Sequence, residues 1–455
     1  MPPILATNPN TQSRTQSRWD YYKNLANMVC SRESTYRTAL DITAFDIPVL
    51  AADAFRGIKK FLESVFECFS ATIMVGISPY LTAFVGKILG KQILSKELQK
   101  DTINLLKFNM NELRDFEQFK TATQRLKTQE VEDKLFVSSL YEKSGKKKEA
   151  EFYRQEALDI EKFCSNFKAD ENKMKEIYKL KKATIIGESF VEGGWWGGYG
   201  LMFRLFRKYI LQEDRFTGTK GYVSDAESEQ LGEAGDLSIF QKVVGVASIF
   251  ISPILNTILL NKIEDREAVK NNKYLKIVDN HMDMTHGVYP RLGLLFTQTT
   301  IPKWIGTITL SQGWFERTER ILKLLTVIPS WWFGHRATNG IFALNADKEL
   351  AKKYDVEQGI LVEPEYLKQT ANNDDTFFER IQKRFPEPAK IHHVFKAVDK
   401  TGLDEARKEE LRLEAEDKHA RCLYKGFTLH SLGVFAINMA VNYSTKLRAL
   451  WALRN

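Results

Sequence analysis

An all-α fold is what the chain predicts, with about two to four membrane-embedded segments and charged helical blocks facing the cytoplasm. Three observations carry that expectation. Three runs of about 20 residues exclude charge, which is the length a helix needs to cross a bilayer. Lys and Glu are interleaved with leucines and aromatics over 92–182 and 347–425, the pattern of solvated helices. No stretch alternates polar and apolar residues as a half-buried strand does.

Composition bounds the rest. A chain of 455 residues suits two to four structural units. With 43% hydrophobic and 27% charged residues it is a folded protein rather than a disordered one. Lys plus Arg exceeds Asp plus Glu by 66 to 58, a net charge of +8. That excess suits an anionic lipid surface. Mean hydropathy is −0.33, which excludes a chain buried mostly in lipid. Cys30, Cys68, Cys164 and Cys422 are scattered, without a C-x-x-C pair, so a disulfide scaffold and a zinc knuckle are both excluded.

In chain order, residues 1–17 are polar and lack an apolar core, so they read as a disordered basic tail and not a cleavable signal peptide. Residues 18–91 hold an amphipathic helix and the first apolar run. In that helix Leu50, Ala51, Ala54, Phe55, Ile58, Phe61, Leu62 and Val65 follow helical spacing. Asp53, Arg56, Lys59, Lys60 and Glu63 take the other face, where Arg56, Lys59 and Lys60 suit the phosphates of an anionic leaflet. It feeds into Cys68–Gly86, which has no charged residue. Residues 92–182 form the first charged block. Within it, 133–163 pairs Leu140-Tyr141, Gly145-Lys146, Ala150, Tyr153 and Ala157-Leu158. This resembles the turn and second helix of a tetratricopeptide repeat over about 30 residues, with no second copy at the period of about 34. One antiparallel hairpin is therefore expected, and the resemblance implies protein binding.

Residues 183–346 form a Gly/Trp-rich membrane-associated region that includes the uncharged run 243–261. It holds Trp195, Trp196, Trp304, Trp314, Trp331 and Trp332, six of the eight tryptophans. Such rings suit either the headgroup level or a helix–helix core. Charges at Lys303, His335 and Arg336 argue against a clean span there. Ile77-Ser78-Pro79 and Ile251-Ser252-Pro253 recur near the middle of the two strong apolar runs. Residues 347–425 are the second charged block, opened by a short strand at Gly359–Val362 and broken at Pro386 and Pro388. Residues 426–455 form a C-terminal apolar helix whose run 426–445 carries His430, Asn438 and Asn442. Residues 221–241 lack Lys and Arg except at Lys242 just beyond, whereas Lys262, Arg266, Lys270, Lys273 and Lys276 follow 261. Positive charge favours the cytoplasm, so 221–241 is expected outside and 262–290 inside.

Chemistry-bearing residues are sparse. On one helix Asp279, Asp283 and His286 share a face, a carboxylate–carboxylate–imidazole edge for a metal. Glu416 and His419 form the Glu-x-x-His spacing of di-iron bundles. His281 and His286 are spaced like one histidine box of membrane fatty-acid desaturases. That family needs further boxes, and here Ala389 stands where a histidine would precede His392-His393. No phosphate-binding loop or nucleophile elbow is present, and Gly193–Gly198 follows no strand. No cofactor is expected. The lysine runs Lys146–Lys148 and Lys181-Lys182 are balanced by Glu, so nucleic acid is not an expected partner. The expected partners are the lipid bilayer and a protein contacting 92–182. The reading is a membrane-attached structural or interaction protein, leaning away from an enzyme. Its alternatives are a membrane-embedded enzyme or lipid/solute handler with its site at 279–286, and a large soluble bundle.

Overall fold

The computed structural model describes residues 18–30, 39–40, 42–143, 145–213, 215–219, 222–224, 226–227, 231, 238–282, 292–329, 335–363, 367, 380, 385 and 389–454. Among them the regular structure is entirely helical. The main helices are α1 (Arg18–Cys30), α2 (Ile47–Ala54), α3 (Ile58–Ile93), α4 (Phe116–Arg125), α5 (Val131–Lys143), α6 (Lys147–Asn166), α7 (Glu171–Leu205), α8 (Ile239–Ala247), α9 (Ile251–Glu264), α10 (Arg266–Asn271), α11 (Lys273–Asn280), α12 (Ile301–Thr309), α13 (Gly313–Pro329), α14 (His335–Tyr354), α15 (Ile391–Asp399) and α16 (Glu405–Arg454).

The charged blocks fold around ordinary apolar cores. Leu98, Leu105, Phe108, Phe119, Ile177 and Leu180 are buried together where α3 and α7 meet the segment between them. Leu350, Tyr354, Leu361, Val394, Val398 and Leu411 do the same between α14, α15 and α16. The expected hairpin at 133–163 is α5 and α6. Gly145 turns the chain with φ 74, a conformation that costs glycine little. Ala150 and Ala157 lie buried in the contact, Tyr141 stacks on Tyr153 with ring centroids 5.4 Å apart, and the Ser138 hydroxyl donates to the Ala150 carbonyl at 2.7 Å.

The apolar helices are arranged the opposite way. On α3 the buried residues include Lys60, Glu63, Ser64, Ser70, Ser78, Gly86 and Gly90, while Phe69 is 65% and Tyr80 73% exposed, with Ile77, Phe84 and Ile88 also outward. On α8, α9 and the turn between them, Ser248, Ser252 and Asn256 are buried, and Ile239, Phe240, Val243, Val246, Ile254 and Ile258 face out. On the second half of α16, Asn438, Asn442 and Thr445 are buried, while Leu432, Leu447 and Trp451 are exposed. Helices α3 and Ile239–Glu264 are long and apolar enough to cross a membrane.

Small residues let the inner faces meet. A Cβ on Gly197 would sit 2.1 Å from the Ser248 carbonyl oxygen, and one on Gly200 2.5 Å from that of Gly306. Gly193 and Gly197, four apart on α7, face Ser252 and Ser248, the small-xxx-small arrangement that brings helix backbones close. The glycine cluster therefore works as a packing surface. Both Ile-Ser-Pro segments rest on α7 at adjacent positions: Ser78 donates to Glu192 at 3.3 Å, and Ser252 faces Gly193. Their settings differ. Pro79 lies inside α3, whereas Pro253 follows the 3-10 turn at Ser248–Phe250 that separates α8 from α9. Asn256 donates to Ser189 at 2.6 Å, and Gln298 donates to the same hydroxyl at 3.2 Å.

Two expectations are corrected. Gly359–Val362 is a bend and not a strand. The buried Asp347 carboxylate accepts the amides of Gly359, Ile360 and Leu361 at 2.6–2.9 Å, which satisfies them without a sheet partner. The amphipathic helix is broken after Ala54 and restarts at Ile58, with Gly57 at φ 96 between them. Its polar face points inward: Asp53, Arg56, Lys60 and Glu63 are all buried, and Phe55 and Ile58 are exposed.

Candidate functional site

The inward charges of α2 and α3 meet partners from elements far along the chain. Arg56 is fully enclosed. Its guanidinium holds Glu319 of α13 in a two-pronged pair, Nη1 to Oε1 at 2.8 Å and Nη2 to Oε2 at 2.6 Å. It also donates to the Gly218 carbonyl at 2.6 Å and to the Asn442 amide oxygen at 2.8 Å. Asp53 accepts from Asn442 at 2.9 Å, from Ser64 at 2.6 Å and from Lys323 at 3.3 Å. Burial raises the Asp53 carboxyl pKa, but Lys323, Lys60 and Arg56 outweigh it and hold the group below the usual carboxylate range. One turn along, Arg207 donates Nε to Glu63 at 2.6 Å and Nη2 to Glu316 at 2.9 Å, and it also bonds Gln312. Glu67 receives Lys303 at 3.1 Å and Arg320 at 3.3 Å.

The network thus links α2, α3, the turn Phe206–Ile210 after α7, α12 and α13 through Arg56, Lys60, Arg207, Lys303, Arg320 and Lys323 against Asp53, Glu63, Glu67, Glu316 and Glu319, and Asn442 and Thr445 bring in α16. Aromatic faces complete the lining: Arg320 lies 4.4 Å from the Phe203 ring centroid, and Lys303 lies 4.7 Å from that of Tyr199. Each of these carboxylates has a cation or several donors. Such a set holds helices in one register and leaves no activated acid or nucleophile. Asp46 differs. It accepts from Thr72, no described cation forms an ion pair with it, and burial pushes its carboxyl up to about 6.

Of the metal candidates read from sequence, Asp279, Glu416 and His419 are among the described residues and lie elsewhere. Asp279 gives one oxygen to Arg114 at 2.6 Å and the other to Arg266 at 2.8 Å, a clasp between α11, α10 and the 109–115 turn. Asp283 and His286 lie outside the described residues. Glu416 accepts from Asn27 of α1 at 2.6 Å, and the buried His419 Nε2 faces the Ala389 carbonyl at 2.9 Å. Burial pushes the His419 imidazole down to about 4. The described residues bring histidine and carboxylate ligand atoms together at Asp133, His392 and His393 instead.

Sequence reasoning missed the network. Read from sequence, Arg56, Lys59 and Lys60 suit a lipid surface, whereas Arg56 and Lys60 are buried. The available signal was complementarity: Asp53, Arg56, Lys60 and Glu63 recur at three- and four-residue spacing, as do Glu316, Glu319, Arg320 and Lys323, so each helix shows one charged face. Of the interior tryptophans, Trp196 is buried with its Nε1 lacking a hydrogen-bond acceptor, whereas Trp314 is mostly exposed. Trp331 and Trp332 lie outside the described residues. No protein-family model, curated protein or solved structure matches the chain.

Proposed function

We propose that the protein is an integral membrane scaffold: α3, α8–α9 and the second half of α16 face lipid, and the charged helical lobe is presented to the cytoplasm as an interaction surface. One observation carries this reading, the reversal of polarity between the two parts. The lobe buries leucines and exposes charge, whereas the apolar helices bury ion pairs and serines and expose phenylalanine, isoleucine and leucine. Each large apolar side chain left in water forgoes about 1.5–3 kcal/mol of burial, so a water-soluble bundle arranged this way would be strongly penalised. In lipid the cost disappears, and buried charge must be paired and face the bundle interior, as it does here. The uncharged run 68–86 rises about 28 Å as a helix, close to the hydrocarbon thickness of about 30 Å.

The lobe end of α3 carries Lys87 and Lys91, and the same end of α9 leads into Lys262, Arg266 and Lys270. That excess favours a cytoplasmic lobe. The scaffold reading is preferred to the enzyme reading because both oxygens of Asp279 are held by guanidinium groups. Alkaline carbonate washing of native membranes tests the proposal. The protein stays with the pellet if α3 and α8–α9 are embedded, and its release without detergent overturns the reading.

A further inference from the structure

A second polar cluster lies in the charged lobe, away from the lipid-facing helices. His392 and His393 sit in the first turn of α15 with ring centroids 4.1 Å apart, and α5 brings Asp133 against them. One ligand atom from each of the three lies within 4.8 Å of the others. His392 is 7% exposed. Its Nε2 comes within 2.5 Å of Asp133 Oδ1. His393 turns Nδ1 to Glu363 Oε1 at 3.0 Å. A carboxylate on the far nitrogen of a ligating imidazole fixes its tautomer and leaves Nε2 for a metal.

We propose that Asp133, His392 and His393 form a binding site for a first-row divalent metal ion, with zinc as its first candidate and Glu363 as the group that orients His393. Two imidazoles and one carboxylate suit zinc and leave a fourth position open. That position has room: His393 and Glu363 line a cavity of about 820 Å³, together with Glu132, Gly359, Lys396 and Thr401. Metal–nitrogen bonds of about 2.1 Å put tetrahedral ligand atoms about 3.4 Å apart. The cluster must therefore open at its 2.5 Å contact and close at its widest separation, a shift of about 1 Å. Lys390 already holds the other Asp133 oxygen and Lys396 holds Glu132. The metal would tie the α5–α6 hairpin to α15 and present a Lewis-acidic position to the cavity.

The test is equilibrium titration of the full-length, untagged, detergent-solubilised protein with Zn²⁺, and with Co²⁺ for its visible absorption. Binding of about one Zn²⁺ per chain is expected, with tetrahedral Co²⁺ bands. His393→Gln and Asp133→Asn should abolish both at micromolar metal. Glu363→Gln should keep the stoichiometry and weaken affinity about 10- to 100-fold. Circular dichroism identifies any variant that fails to fold, and the half-buried His393 and Glu363 positions then decide. Absence of stoichiometric zinc, or binding unchanged by His393→Gln, overturns the proposal.

Discussion

Arg56→Met removes the centre of the buried ion network while keeping side-chain length. Glu319 loses both guanidinium bonds and keeps Lys323 and Thr445. The Gly218 carbonyl loses the donors at 2.6 and 3.1 Å, and Asn442 loses a third partner. The substitution leaves Glu319 without its two-pronged partner inside the enclosed network. Breaking a buried pair by removing one partner costs about 3–5 kcal/mol. The orphaned carbonyl is part of that loss, because an unsatisfied buried acceptor alone costs about 1–3 kcal/mol. Arg56→Met with Glu319→Leu removes both members of the pair, and replacing both members of a buried pair by apolar groups is often neutral. The double variant should therefore be more stable than Arg56→Met alone, giving a strong favourable coupling in a double-mutant cycle. Thermal unfolding in detergent, followed by far-UV circular dichroism and tryptophan fluorescence, reads both. A single-variant loss under about 1 kcal/mol, the range of exposed pairs, would refute the enclosure of Arg56. Additive losses would refute the pairing.

Three further outcomes are expected. Gly197→Ala should destabilise by about 1–3 kcal/mol because its methyl meets the Ser248 carbonyl, whereas Gly76→Ala, with open space around its Cβ, should gain up to about 1 kcal/mol of helix propensity; equal melting shifts would contradict the close α7–α8 contact. Burial holds His419 at about 4 against the usual histidine value of 6.5, so the unfolded chain binds the proton between those values and stability falls on acidification through that window. Wild type should lose about 3 kcal/mol relative to His419→Gln between pH 7 and pH 4, and parallel pH–stability curves would show that His419 titrates normally. Single cysteines at Ala226 and Asn271, in a chain lacking the native four, should label on intact cells only at position 226; labelling only at 271 would invert the topology.

The helical class, the three apolar runs and the α5–α6 hairpin were legible because each is a local pattern of charge exclusion, period or turn residues. The face of α3 that points inward was not legible. Periodicity defines a polar and an apolar stripe but not which one meets lipid. The deciding partners of Arg56, Glu319 and Asn442, lie 263 and 386 residues away. Gly193, Gly197 and Gly200 were visible as glycines, but their role needs Ser248 and Gly306 across the contact. His392 and His393 were compared with a motif on one helix, whereas the carboxylates that join them come from α5 and the bend after α14.

Lipid exposure of the outward faces is the central claim, and site-directed spin labelling in bilayers measures it most directly. Labels at Tyr80, Phe84 and Val246 should collide more often with dissolved oxygen than with a water-soluble nickel chelate, while a label at Lys148 on the lobe shows the reverse. Nickel-dominated relaxation at positions 80, 84 and 246, matching that at 148, would place these faces in water and contradict the membrane scaffold.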